Sequence, residues 1–383
     1  MTSHLAHTPL HSWHATAGGR LVDFAGWEMP VQYGSIVAEH EATRKAATLF
    51  DVSHMGRLRF DGPGAEAFLD RTVTRRVAGM KPGQVRYALV TNDQGGILDD
   101  VLVYRLVDSK TGATYYQMVV NASNRQKILV WLERRRAAGF GPGGPEITSP
   151  RDLTFDTAMI AVQGPKAAAL VEPICGAPAL ALRYYTAAEM PLIGFAGDPM
   201  ALVSRTGYTG EDGWELVVPA KRAVEVWRRL LEVGAPVGAQ PAGLAARDTL
   251  RLEAAMPLYG HELSESIHPF QAGLDFAVNL EGHYFPGADA LEKASREPSR
   301  VIRVGWKLGG KRVPREGYPV LSAEGAAIGN VTSGTFSPTL QVPIAMGYCQ
   351  PAFAKPGTEV LVDIRGRHEP ATVVELPFYR RGK

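Results

Sequence analysis

Two adjacent carboxylates, Asp99 and Asp100, stand inside the run Ile97-Leu98-Asp99-Asp100-Val101-Leu102-Val103-Tyr104, which otherwise has the apolar, β-branched character of a buried strand. Side chains alternate across a strand, so Asp100 shares a face with Leu98, Leu102 and Tyr104, while Asp99 points the other way. One of the two is therefore aimed at whatever the strand covers. A buried carboxylate is costly unless something compensates it. Two readings are open at this point: a structural charge at a strand edge or bonded to a loop amide, and a carboxylate held for chemistry.

A second acid sits in a similar setting. In Trp214-Glu215-Leu216-Val217-Val218, alternation puts Glu215 with Val217 on one face and Trp214, Leu216 and Val218 on the other. A carboxylate that accepts paired N–H donors suits the flat edge of an aminopyrimidine, by the logic that reads amino groups on nucleic-acid bases. The loop before it, Gly207-Tyr208-Thr209-Gly210-Glu211-Asp212-Gly213, implies positive φ angles or close backbone approach at its glycines. It is neither a Walker loop nor a dinucleotide fingerprint, and a plain hairpin loop fits it equally. Arg247 and Arg251, four apart, share a helix face. They suit surface ion pairs with Asp248 or Glu253, or a clamp on a ligand carboxylate. In Phe50-Asp51-Val52-Ser53-His54-Met55-Gly56, the end of a helical stretch that starts near Ser35, His54 has no nucleophile spaced to form a triad. Met55 suits core filling or the wall of a ring-binding site.

The elements that must position these residues are short strands and helices without regular βαβ spacing. Gln84–Val90 and Ile97–Leu106 form a hairpin, Tyr115–Asn121 a third strand, and 124–138 a helix capped by Ser123 and stopped by Gly139. The Arg134-Arg135-Arg136 run late in that helix reads as a solvated face that complements the helix dipole. Further strands are expected at Ala158–Gln163, Pro199–Arg205 and Trp214–Val218, with helices at about 220–232 and 243–253. Beyond a charged linker, Glu292–Arg300, short β-type runs between Gly/Pro turns predict a small antiparallel barrel or sandwich.

Bulk composition excludes several classes. The 383 residues carry a net charge of +2 and are 45% hydrophobic and 21% charged, an ordinary globular balance without a nucleic-acid-binding patch. Cys175 and Cys349 are far apart and form neither a disulfide framework nor a metal spacing, so no metal is expected and a reducing compartment fits best. No apolar stretch approaches the roughly 20 residues of a membrane span. The N-terminal residues lack a signal-peptide pattern, and cytoplasm is the expected location.

Taken in order, the segments resemble the aminomethyltransferase (T-protein) family of the glycine cleavage system. The resemblance rests on Thr8-Pro9-Leu10-His11, Phe24-Ala25-Gly26-Trp27-Glu28-Met29-Pro30-Val31-Gln32-Tyr33, Phe50–Met55, Asn92–Asp100, Gln163-Gly164-Pro165, Gly207–Gly213, Leu244–Glu253, Leu258-Tyr259-Gly260, Gly329–Gly334 and Ala345–Tyr348. Each motif alone is weak, but their collinear set over nearly the whole chain is specific.

What the resemblance implies is an α+β, multi-lobed folate-binding fold around a central channel. Residues 1–291 would be the catalytic region, in two lobes that need not be contiguous, and 300–383 a C-terminal antiparallel β-barrel domain. It implies transfer of the aminomethyl carbon from the lipoyl arm of H-protein to tetrahydrofolate, with ammonia released and no metal, nucleic acid or membrane involved. By residue, it implies Asp100 as the key carboxylate, Glu215 on the pterin and Arg247 near the folate tail. Met55, Tyr87, Tyr104 and Tyr208 would line the ring site. Phe276, where relatives often carry Trp, is a departure expected to matter for packing. Two alternatives stand beside this: a folate-dependent demethylase, and a folate-binding relative without catalysis. The iron–sulfur assembly relatives are disfavoured, because Met256–Glu262 lacks their cysteine.

Overall fold

In the computed structural model the apolar strand Thr157–Gln163 is buried beyond its first residue and lies inside a six-stranded sheet. The strand order is Ala187–Pro191, Met200–Ser204, Gly213–Pro219, Thr157–Gln163, Thr48–Asp51 and Gln240–Pro241. Residues 5–139, 146 and 148–382 are described. They divide into two compact units: the chain up to Ala88 with Asp100–Gly207 and Glu211–Arg247, and Leu89–Asp99 with Tyr208–Gly210 and the chain from Asp248 onward.

One face of the first unit's six-stranded sheet carries Leu49, Ile160, Val162, Trp214, Leu216 and Val218, packed with Leu170, Val171, Ile174, Trp227 and Leu230. The last five come from the helices Ala167–Cys175 and Ala223–Gly234. Each buried indole hides roughly 200 Å² and contributes about 5 kcal/mol before entropy is counted. The expected alternation at Trp214, Leu216 and Val218 is thus observed, and Glu215 is turned to the opposite face. Register confirms this, since Glu215 pairs with Ser204 on one side and with Ala161 on the other.

A second sheet has the order Val85–Thr91, Ile97–Val107, Thr114–Val120, Gly56–Phe60 and Arg151–Asp152. Its first two strands run at their tips into the second unit, where Ile97 N donates to Ser264 O at 3.1 Å. A Cβ on Gly96 in that turn would meet Glu265 O at 1.9 Å, so the backbone approach there requires glycine. The second unit also holds a closed antiparallel barrel. Its strands in order are Ile302–Leu308, Val342–Cys349, Ala327–Ser337, Pro319–Leu321, Glu359–Asp363 and His368–Val374. Trp306, Val320, Val331, Val362 and Val373 fill its core.

Several expectations need correction. The helix beginning near Ser35 is Ile36–Lys45, with Ser35 capping Ala38 N, and Thr48–Asp51 is a strand. Leu49 and Phe50 are claimed by the sheet because both are fully buried beside Thr157–Gln163. Ser123 does not cap the following helix: a 3-10 turn, Ala122–Asn124, intervenes before Arg125–Ala138, which does stop at Gly139. The charged segment expected as a linker begins inside the helix Ala288–Arg296. Ala288 and Leu291 are buried there and Arg296 pairs with Glu292 one turn earlier, so the charges are its solvent face. Phe276, where the departure from relatives concerns packing more than chemistry, is 60% exposed, and its exposure leaves that reading standing.

Candidate active site

Asp100 lies on a strand whose two faces differ. Asp99, Val101 and Val103 are fully buried, while Asp100 and Leu102 keep partial access. Alternation therefore separated the two acids in the expected sense, and the more deeply buried of the pair is Asp99. The Asp100 carboxylate is held from both neighbouring strands. Asn121 Nδ2 donates to Oδ1 at 2.7 Å and to the Asp100 carbonyl at 3.2 Å, and Tyr87 donates its hydroxyl to Oδ2 at 3.1 Å. Burial pushes the Asp100 carboxyl up to about 6, against the downward pull of those two donors. The result is a positioned carboxylate that changes charge near neutral pH.

Glu215 is buried on the sheet face opposite the helices. Thr206 donates its hydroxyl to Oε2, and Ser204 Oγ lies 2.9 Å from Thr206 Oγ1. That hydroxyl fills one of about four lone-pair sites on a carboxylate. Burial raises the Glu215 carboxyl above its ordinary value, while Thr206 and Arg247 act the other way. The Tyr104 phenol, on the strand face of Asp100, is raised by burial and by Glu215, and the Ser204 and Thr206 hydroxyls stand beside it. Tyr185 is likewise raised by burial, with both Glu215 and Asp100 among its charged neighbours. These two phenols connect the two acids into one cluster within the first unit.

The other sequence candidates are distributed as follows. Arg247 belongs to the electrostatic surroundings of both Glu215 and His54. Met55 occupies the turn between Thr48–Asp51 and Gly56–Phe60, its carbonyl bonded by the buried Arg57 guanidinium. His54 is buried and pushed down to about 4, chiefly by burial, so it is neutral at physiological pH and supplies no charge. Tyr208 lies in the second unit, where its hydroxyl donates to Pro257 O at 2.5 Å. Arg251 is in that unit too, bonded to Asp248 at 2.7 Å, to Glu262 at 2.8 Å and to Ser333 at 2.8 Å. Of the two arginines, only Arg247 neighbours the acid cluster in its own unit.

The glycine loop is structural at its base. Arg44 bonds Glu211 at 2.9 Å and Arg205 bonds Asp212 at 2.6 Å. A Cβ on Gly207 or Gly213 would meet the Gln163 side chain at 2.0 or 2.4 Å, which accounts for both glycines by close approach.

Three residues of the cluster were missed from sequence: Asn121, Thr206 and Tyr185. Tyr185 has φ 60°, a costly conformation for a non-glycine residue. It is pinned by Tyr185 N to Arg205 O at 3.0 Å and by Val85 N to Tyr185 O at 2.9 Å. No local sequence signal announces that backbone.

The GCVT N-terminal domain family matches residues 10–282, and the glycine cleavage T-protein C-terminal barrel domain matches 303–380. The chain belongs to the glycine cleavage T-protein family. An aminomethyltransferase of Streptomyces avermitilis is 48% identical, covering 98% of this chain and 98% of that protein. One from Streptomyces coelicolor is 47% identical over the whole of both. The crystal structure of the glycine cleavage system aminomethyltransferase T from Bartonella henselae superposes with a TM-score of 0.87 at 35% identity, covering 99% of this chain and 100% of that one. The α+β fold with its C-terminal barrel is that of the T-protein family, and the activity that goes with it is aminomethyl transfer in glycine cleavage.

Proposed function

We propose that this chain transfers the methylene carbon of an aminomethyl group, carried on the lipoyl arm of H-protein, to tetrahydrofolate. In this reaction the C–S and C–N bonds of the aminomethyl carbon break, and bonds to folate N5 and N10 form. Ammonia and dihydrolipoyl H-protein leave. The carbon stays at the formaldehyde level, so no redox partner is needed. The observation that carries the proposal is the Asp100 carboxylate, half-buried and held by Tyr87 and Asn121 in the same unit as the Glu215 cluster.

In this reading Asp100 acts on charge that develops during the reaction. The carbon becomes cationic as its bonds reorganise, and a fixed anion in a poorly solvated site stabilises it. A carboxyl near 6 is also suited to hold or pass a proton at a folate nitrogen. Glu215, fixed by Thr206, accepts from the pterin's amino and ring N–H groups. Tyr87, Tyr104 and Met55 line the ring, and Arg247 draws the anionic part of the folate. The role of Tyr208 rests on family likeness alone. Residues 1–291 are proposed as the catalytic region and 300–383 as the barrel domain. The cytoplasm is proposed as the location, in keeping with two free, buried cysteines. Among the described residues no helix is long and apolar enough to cross a membrane.

The reaction is tested by separating the folate products formed with two donors, aminomethyl-loaded lipoyl H-protein, which gives 5,10-methylenetetrahydrofolate, and an N-methylated amino acid, which without an oxidant can give only 5-methyltetrahydrofolate. Product from H-protein with ammonia in equal amount supports the transferase. Formation of 5-methyltetrahydrofolate from the N-methyl donor alone, the redox-neutral product of moving a methyl group to folate N5, would make the chain a demethylase instead.

The Tyr87 bond has its own consequence. Tyr87→Phe removes a donor that favours the charged carboxylate, so the Asp100 carboxyl rises from about 6. One such hydrogen bond corresponds to about one pH unit. The acid limb of the kcat/KM profile is expected to move upward by about that amount. An unmoved limb would remove Tyr87 from the control of Asp100.

A further inference from the structure

His7 and His11 stand four residues apart, and the fold brings Glu28, 17 residues beyond His11, to the same place. His7 Nε2 stands 3.2 Å and His11 Nε2 2.6 Å from the same atom, Glu28 Oε2. The two imidazoles stack with centroids 3.6 Å apart and planes 3° from parallel. One ligand-type atom from each of the three lies within 4.8 Å of the other two. None of the three belongs to the cluster around Asp100 and Glu215.

The backbone sets this arrangement in place. Ala6 N donates to Gly26 O at 2.8 Å, and Glu28 N donates to Ala6 O at 2.9 Å. The extended segment bearing His7 is thereby laced along the strand Trp27–Gln32, which bears Glu28. His11 opens the helix His11–Thr16. That helix is anchored from below, because His14 Nε2 contacts the buried Asp51 carboxylate at 2.9 Å, and Thr8 donates to the same oxygen at 2.6 Å. The three side chains converge from elements that are already fixed, so little ordering is left for a ligand to impose.

We propose that His7, His11 and Glu28 form a binding site for a divalent transition metal of the Zn(II) or Co(II) type. Two imidazole nitrogens and one carboxylate oxygen suit such borderline ions, whereas Mg(II) and Ca(II) demand oxygen donors. Ligands about 2.1 Å from a tetrahedral metal lie about 3.4 Å from one another. The His7–Glu28 separation of 3.2 Å is already close to this, and the His11–Glu28 separation of 2.6 Å must open by less than about 1 Å. The metal sits near the plane of each ring it binds, so the parallel stack must tilt apart. The His7 side chain is 54% exposed and has the room. Water completes the coordination. The bound ion clips the N-terminal segment to the strand Trp27–Gln32.

The test uses the full-length protein without an affinity tag, stripped with a chelator and titrated with Co(II), then Zn(II). Expected are one Co(II) per chain with the visible absorption of mixed nitrogen and oxygen coordination, its displacement by Zn(II), and a higher Tm with Zn(II) present. His7→Ala and Glu28→Gln should each lose the absorption and the Tm increase. His7→Ala is the decisive variant, because a side chain this exposed is dispensable for folding. Absence of stoichiometric Co(II) and Zn(II) uptake by the wild type, or uptake undiminished in His7→Ala, would overturn the proposal.

Discussion

Asp100→Asn is expected to reduce aminomethyl transfer by about 10²–10⁴-fold at saturating folate while leaving folate affinity nearly unchanged. The substitution keeps the side chain's size and the Asn121 contact but removes the negative charge. It should also stabilise the protein. Burial raises the Asp100 carboxyl from 3.8 to about 6 in the folded state, so the folded chain holds this proton more tightly than the unfolded one. Wild-type stability therefore falls as pH rises from about 4 to above 6 on account of this group, and stays lower beyond. At about 1.4 kcal/mol per unit the upper limit is about 3 kcal/mol, less because the carboxylate keeps some contact with solvent. Asn carries no such penalty. Denaturant titration at pH 7.5 should find the variant about 1–3 kcal/mol more stable, with the difference closing towards pH 4. A variant both inactive and less stable would make Asp100 a structural residue.

Glu215→Ala is expected to weaken tetrahydrofolate binding by about 10–100-fold, the worth of a good bidentate contact. The effect should appear in KM and in equilibrium binding, with kcat at saturating folate far less affected, because Glu215 is assigned to holding the ring rather than to the reacting carbon. Glu215→Gln should be nearly as damaging, since it turns half of an acceptor pair into a donor facing the pterin's own donors. Thr206→Val should have a smaller effect in the same direction, as it removes the hydroxyl that fixes Glu215. Calorimetric titration of folate into the three variants gives the order. Unchanged affinity in Glu215→Ala would place the pterin elsewhere.

The parts of this site that sequence reveals are those governed by local period. Alternation along Ile97–Val107 separated Asp100 from Asp99, and alternation along Gly213–Pro219 turned Glu215 away from Trp214 and Leu216. The family motifs then assigned roles to both. Residues set by pairing between strands were harder to see. Leu102 pairs with Val119, so continuing the register places Asn121 opposite Asp100, but that requires knowing the register first. Thr206 reaches Glu215 through the neighbouring strand, and Tyr185 depends on a left-handed backbone held by hydrogen bonds remote in sequence.

Tertiary context decided the remaining cases. Arg247 and Arg251 are equivalent by helical spacing, and only the fold gives Arg251 to Glu262 and Ser333. His54 could have been charged in water, and burial beside two arginines keeps it neutral. Thr48–Asp51 follows a helix without a glycine or proline to mark the change, so the strand is recognised only from what it packs against. The same holds for the meeting of His7, His11 and Glu28.

The most direct measurement is single-turnover formation of 5,10-methylenetetrahydrofolate from aminomethyl-loaded H-protein, comparing wild type with Asp100→Asn at folate concentrations that saturate both. Rapid product and matching ammonia are expected from the wild type, and a rate at least about 100-fold lower from the folded, folate-bound variant. A variant rate within a few-fold of wild type would contradict the central assignment, that the half-buried Asp100 carboxylate drives the transfer.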